Sequence, residues 1–269
     1  MANDRFGIYL LCDGMGGPAG GDFASDFTSK QMMDTLIKAV QFQFSGKTSP
    51  DEPTMDILSD FRADSNGPAS YIEYAVWETG QKLHRIAVKK SKNGLKMGTT
   101  LVGLWFLKDK VWSFNVGDSR AYGFWDNQLF RMTRDDCWVD EQILMGKIKP
   151  EDAPHYRSKI TNAIGTQSQV VAQINSYPIH YSGGRFLLCS DGFYDHVPLR
   201  EMTPLVSIPD MGEACEKMIE KALELGEKRK LKEDGDNEKI KKRDNITVLL
   251  IDLKMYGVAH PDEDTLDFE

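Results

Sequence analysis

Apolar positions divide the chain into stretches of different period. "FGIYLLC" (6–12) is short, continuous and rich in β-formers, the pattern of a strand buried on both faces. From Asp22 the spacing lengthens. Phe23, Phe27, Met33, Leu36, Ile37 and Val40 recur at helical intervals and predict an amphipathic helix to about residue 41. Residues 43–69, rich in Ser, Asp, Pro and Gly, read as an irregular excursion with room for one short helix. A second helix is predicted from about Tyr71 to Lys90, with Ile72, Ala75, Val76, Leu83 and Ile86 as its apolar stripe. The pattern then changes: "TTLVGLWFL", "KVWSFNVGDSRAYGFW" and "QLFRMT" are β-branched and aromatic, separated by the turns "KDK" and "WDN". Successive antiparallel strands follow from this, with the aromatics at 105, 106, 112, 114, 124 and 125 as core and edge. Residues 134–168 are polar and mixed, with a helix predicted at 138–146. "QINSYPIHY" and "GRFLLCSDG" return to strand, 211–229 reads as a last helix, and "NITVLLIDL" as a closing strand. The charge run 227–243 reads as a solvated loop, and "HPDEDTLDFE" as a disordered acidic tail. Helices, then many strands, then helix and strand again indicate an α+β domain rather than a regular βαβ repeat.

Composition narrows the function classes. At 269 residues the chain has room for a large core, and 41% hydrophobic with 28% charged residues is ordinary for a globular protein. A net charge of −8 argues against a nucleic-acid partner, which needs clustered Lys and Arg. Cys12, Cys137, Cys189 and Cys215 lack C-x-x-C spacing, so they read as reduced intracellular thiols without a zinc pattern. Residues 1–12 lack the basic and long apolar regions of a signal peptide, and no apolar run approaches the ~18 residues of a membrane span. The expectation is a soluble, cytoplasmic protein with no membrane insertion.

Candidate chemistry lies where the strands end. "YLLCDGMGGPAGGDFAS" (9–25) sets five glycines between Gly14 and Gly21, and "GMGGPA" satisfies a dinucleotide fingerprint. Asp13 stands before those glycines, however, where a carboxylate repels a pyrophosphate. The acid that fold needs about 20 residues on falls at Asp34, inside the first predicted helix. "RFLLCSDGFYD" (185–195) repeats the unit of apolar strand, cysteine and Asp-Gly at Asp191, "FNVGDSRAYGF" presents Asp118 at a turn, and "RDNITVLLIDL" begins with Asp244. The glycine after each Asp-Gly acid is expected to permit a sharp turn and to leave its own carbonyl accessible. Asp-Gly is a common turn dipeptide, so any one of these acids alone reads as a turn former. Taken together, the four are acids that a packed sandwich can gather at one end, and clustered carboxylates call for a hard cation such as Mg²⁺ or Mn²⁺. A carboxylate bridging two such ions suits hydroxide attack on phosphorus. The residues carry the argument to a divalent-metal hydrolase.

"CDGMGGPAGGDFAS", "GTTLVGL", "NVGDSRAYGF", "LLCSDGFYDHV" and "DNITVLLIDL" occur in the order seen in metal-dependent protein phosphatases. From residue 6 to about 253 the chain resembles a bacterial-type member of the type 2C serine/threonine phosphatases. The resemblance implies a β-sandwich of two antiparallel sheets flanked by helices, a four-layer αββα arrangement. It implies that Asp13 bridges two metals, that Gly14 ligates through its carbonyl, and that Asp191 and Asp244 complete the first metal site. Asp118 matches the acid that helps hold a third, weaker ion. The segment Arg134 to Gly165, with "TNAIG", corresponds to a mobile flap that contributes to substrate choice. Met15 stands where eukaryotic relatives carry a histidine general acid, which leaves leaving-group protonation to water or another group. One catalytic domain is expected over 1–254, with a flap at about 134–168 and a tail at 255–269.

Two departures qualify the resemblance. Family members begin with an earlier strand bearing a phosphate-binding arginine, then an N-E-D-like motif. Here Asn3-Asp4 stands as a remnant of that motif and Arg5 does not match the arginine, which leaves three readings: a trimmed chain, a different phosphate contact, or an impaired enzyme. The loop before Asp244 is longer than usual, and its "GDN" at 235–237 is a decoy for the ligand motif. The expected activity is hydrolysis of phosphoserine and phosphothreonine in proteins with two or three Mn²⁺ or Mg²⁺ ions, opposing a Ser/Thr kinase, by a monomer. The competing reading is a non-catalytic phosphoprotein-binding or regulatory relative. A dinucleotide-dependent oxidoreductase is the third. His196 reads as structural, His84 as a packing or surface residue on its helix, His155 as a flap residue near substrate, and Cys12 and Cys189 as buried apolar thiols.

Overall fold

Two antiparallel sheets stack face to face, and helices cover both outer faces. The computed structural model describes residues 1–45, 67–91, 97–107, 110–155, 159–179, 184–233 and 245–253. Asp244, the "GDN" decoy, most of the 43–69 excursion and the acidic tail lie outside the described residues. The first sheet runs β1 (Ala2–Asn3), β2 (Ile8–Leu11), β5 (Leu101–Leu107), β6 (Lys110–Val116) and β9 (Gln173–Pro178) in spatial order. The second runs β11 (Val248–Asp252), β10 (Arg185–Cys189), β7 (Arg120–Trp125) and β8 (Gln128–Arg131). A small third sheet pairs β3 (Gly14–Met15) with β4 (Gly98–Thr99).

The continuous apolar runs follow from burial on both faces, because a strand's side chains alternate. Ile8 and Leu10 of β2 point toward the helices, with Leu101, Trp105 and Phe114. Tyr9 and Leu11 point into the sandwich, where they meet Val102, Leu104, Phe186 and Leu188. On the far side Leu187 and Cys189 pack under the second helical layer with Phe193, Val206, Ala214 and Met218. The aromatic positions divide as expected, Trp105 and Phe114 fully buried and Phe106 packed at the margin of the sandwich core. The "WDN" turn is a two-residue hairpin loop. Asp126 and Asn127 both take left-handed φ, 53° and 59°, and Trp125 pairs with Gln128 across them.

The first helical layer is α1 (Pro18–Ser45) against α2 (Pro68–Ser91), tied by Glu78, which accepts from the Thr35 hydroxyl at 3.1 Å. Helix α1 starts four residues before its predicted start, at Pro18, whose fixed φ suits a first helical position. The second layer holds α4 (Asp191–Tyr194), α5 (Leu199–Val206) and α6 (Met211–Glu233), while α3 (Trp138–Leu144) lies within the 134–168 segment. Helix α5 was not legible in the sequence, since it is short and carries Pro204 inside it. The last helix runs to Glu233, four residues past its predicted end and seven into the predicted charged loop, because "EKRKLKE" is composed of strong helix formers and Lys228 pairs back to Glu224. Among the described residues, no helix is long and apolar enough to cross a membrane.

Candidate functional site

Each described acid stands where the sequence put it, at the end of a strand. Asp13 follows β2 by two residues, Asp118 occupies the turn from β6 to β7, and Asp191 opens α4 two residues after β10. Asp13 is held by backbone contacts. Its N–H donates to Thr100 Oγ1 at 3.0 Å, and its carbonyl accepts from Thr100 N–H at 2.9 Å and from Thr99 Oγ1 at 2.8 Å. The Thr100 hydroxyl in turn lies 2.7 Å from Ser119 Oγ, beside Asp118. Asp191 belongs to the same neighbourhood, since its charge, together with burial and Asp135, pushes the Asp118 carboxyl up to about 7. Ser190 N–H donates to Thr247 O at 3.1 Å, its hydroxyl donates to Asn245 O at 3.2 Å, and Thr247 N–H returns to Ser190 Oγ at 3.1 Å. The segment that follows Asp244 is thereby fastened beside Asp191.

The glycines after the acids serve a purpose different from the expected turn. A β-carbon on Gly14 would sit 2.2 Å from the Gly21 carbonyl oxygen, so this pair lets the loop press on the first turn of α1. The left-handed residues of the loop are Gly16 and Gly17, at φ 110° and 84°. Gly192 lies inside α4, where a β-carbon would meet Asn245 O at 2.4 Å. Close approach, rather than a turn at the Asp-Gly bond, requires glycine at both places.

An ion-pair network beneath Asp118 escaped the sequence reading. Asp135, 7% exposed, accepts from Arg120 Nη2 at 2.7 Å and from Arg131 Nη2, and the Arg120 guanidinium stacks 3.4 Å above the Tyr194 ring. Burial and the nearby acids Asp118, Asp135 and Asp191 raise the Tyr194 phenol well above its usual range. Asp135, Cys137 and Asp140 bring ligand-type atoms within 4.8 Å of one another, but the two guanidiniums already balance Asp135. The signal in the sequence was the Asp135–Asp136 pair, with Arg131 four residues before it; periodicity cannot match it to Arg120, fifteen residues upstream.

Asp136 organises the predicted flap. Its carboxylate accepts from Gly117 N–H at 3.0 Å, from Asn162 Nδ2 at 2.9 Å and from Gln173 Nε2. Ile164 pairs with Thr99 through bonds of 3.0 and 2.9 Å, and His84 Nδ1 lies 3.2 Å from Gly165 O. "TNAIG" is therefore joined to the small sheet that carries Gly14. His84 has a part that its helix position did not reveal, whereas His196 packs beside Gly226 as a structural residue would. Burial pushes the Cys12 and Cys189 thiols up to about 12, Cys189 being fully buried and Cys12 half-buried. Arg5 lies over its neighbour Phe6, 5.5 Å from the ring centroid, and Asp4 accepts from the Tyr9 hydroxyl at 3.1 Å.

The protein phosphatase 2C family model matches residues 3–233. The chain belongs to that family. Serine/threonine protein phosphatase PstP of Mycobacterium tuberculosis is 29% identical over 267 residues, covering 95% of this chain and 43% of PstP. The chain thus spans less than half the length of that relative. Serine/threonine phosphatase stp of Listeria monocytogenes is 29% identical over 255 residues, 93% of this chain and 85% of stp. The crystal structure of the PstP catalytic domain in complex with two manganese ions superposes with a TM-score of 0.65 at 26% identity, covering 91% of this chain and 86% of that one. The type 2C phosphatase sandwich is the fold of this chain.

Proposed function

We propose that this chain is a Mn²⁺- or Mg²⁺-dependent phosphatase that removes phosphate from phosphoserine and phosphothreonine in proteins. The observation that carries the reading is the convergence of acids at one end of the sandwich. Asp118 is forced toward its neutral form by burial and by Asp191 and Asp135, so a cation is the natural counterpart of the group. The donors are all oxygens, carboxylates and the Gly14 carbonyl, which suits a hard divalent ion rather than zinc. The PstP catalytic domain, with its two manganese ions, supports the same choice.

Asp13, Gly14, Asp191 and Asp244 would hold two ions, with Asp13 shared by both, and Asp118 would help to hold a third more weakly. Bound there, such ions would supply an acidified water near neutral pH as the nucleophile for attack on phosphorus. Asp13, Asp191 and Asp244 are assigned as the catalytic set because they would hold the ions that activate the water. Met15 has no proton to give, so the leaving alkoxide would take its proton from water or another group. One catalytic domain over 1–254, with 134–168 as its flap and 255–269 as a tail, belongs to the same proposal. So do a cytoplasmic monomer and an opposing Ser/Thr kinase.

Hydrolysis of p-nitrophenyl phosphate with Mn²⁺ and with excess EDTA tests the reading. Turnover that requires Mn²⁺ supports it; no metal-dependent turnover overturns it in favour of a non-catalytic relative.

A further inference from the structure

Thr100 touches both halves of the candidate centre without belonging to its ligand set. Its hydroxyl and N–H close a two-bond ring with the Asp13 peptide, at 3.0 and 2.9 Å, which fixes the backbone of that acid. Both branches of the side chain meet the Asp118 turn. The hydroxyl lies 2.7 Å from Ser119 Oγ, and the methyl Cγ2 packs on Gly117, where a β-carbon would come to 2.9 Å. Thr100 and Ser119 are 3% and 1% exposed, so solvent does not substitute for either bond. One side chain is therefore the common reference for two acids that the sequence holds far apart.

We propose that Thr100 is a positioning residue, acting through Ser119, that sets the separation between Asp13 and the Asp118–Asp191 pair and so sets the affinity for the divalent cation. The inference rests on the metal-site reading above. Valine at this position keeps the branched shape and removes both hydroxyl bonds, leaving the Asp13 N–H and Ser119 Oγ without their partner. Serine keeps the hydroxyl and gives up only the methyl.

Isothermal titration with Mn²⁺, alongside metal-free thermal melting, tests this on the full chain and on Thr100→Val, Thr100→Ser, Ser119→Ala and the Thr100→Val/Ser119→Ala double variant. Thr100→Val is expected to weaken Mn²⁺ binding about 10- to 100-fold, as loss of a group that orients a metal ligand does. Thr100→Ser is expected to retain most of the affinity, and the double variant to bind no worse than Thr100→Val, because the two hydroxyls act as one unit. Lowered melting with unchanged affinity in Thr100→Val, or additive losses in the double variant, overturns the proposal. Should Thr100→Val not fold, Ser119→Ala decides: weakened binding supports the coupling, full affinity overturns it. An unaltered chain that binds no Mn²⁺ overturns the metal-site reading itself, whereas normal binding with insensitive variants overturns only the role of Thr100.

Discussion

The Asp118 carboxyl shows how much of this site is electrostatics held in place by packing. An aspartate in the unfolded chain titrates near 4, and in the folded protein burial, Asp191 and Asp135 raise it to about 7. A folded value above the unfolded one gives stability that is complete below about pH 4 and is lost as pH rises through 7. The metal-free protein is therefore expected to melt at progressively lower temperature from pH 5 to pH 8. Asp118→Asn, which cannot ionise, should flatten that slope, and Mn²⁺ should restore stability at pH 8. Melting curves in EDTA check this; a slope as steep in Asp118→Asn as in the unaltered protein contradicts the assignment. The position of Asp118 was legible, because Gly-Asp-Ser between two β-rich runs marks a turn. The pairing of Asp135 with Arg120 was not, since the two are fifteen residues apart and meet only through the fold.

At the scale of elements, the loop that carries Asp13 depends on a contact between two backbones. Gly14 and Gly21 approach so closely that a methyl group on Gly14 would overlap the Gly21 carbonyl, with its oxygen 2.2 Å away. Gly14→Ala should therefore destabilise the protein by about 1–3 kcal/mol, the usual cost of forcing extra volume into a packed site. Denaturant unfolding measures it, and a loss under about 0.5 kcal/mol, typical of a surface substitution, would show that the loop is not packed as described. The sequence displayed the glycines and suggested turns, but which of them turn and which pack depends on the third dimension. Strands and long helices were legible because continuous apolar runs and helical stripes survive in one dimension. Helix α5, short and containing Pro204, gave no comparable pattern. The fastening of 160–165 to Thr99, Asp136 and His84 was equally hidden, being made between segments remote in the sequence.

For the whole molecule, the sandwich has one mechanical purpose that the candidate site exposes. Two sheets pack across Tyr9, Leu11, Val102, Leu104, Phe186 and Leu188, and that packing brings the ends of β2, the β6–β7 turn and the end of β10 to the same side. The repeated unit of strand, cysteine and Asp-Gly signals this arrangement in the sequence, because it places two acids at equivalent strand ends. Their spacing could not be read, since it is set by sheet stacking and by the Thr100 and Ser190 contacts. The central claim is that these acids together make a divalent-metal phosphatase. The most direct measurement is phosphate release from a phosphothreonine peptide, with and without Mn²⁺, by the unaltered chain, Asp13→Asn and Asp191→Asn. The account predicts Mn²⁺-dependent release by the unaltered chain and a loss of at least about 100-fold in each variant, some 2.7 kcal/mol of transition-state stabilisation. Full activity in both variants, or release indifferent to Mn²⁺, would contradict it.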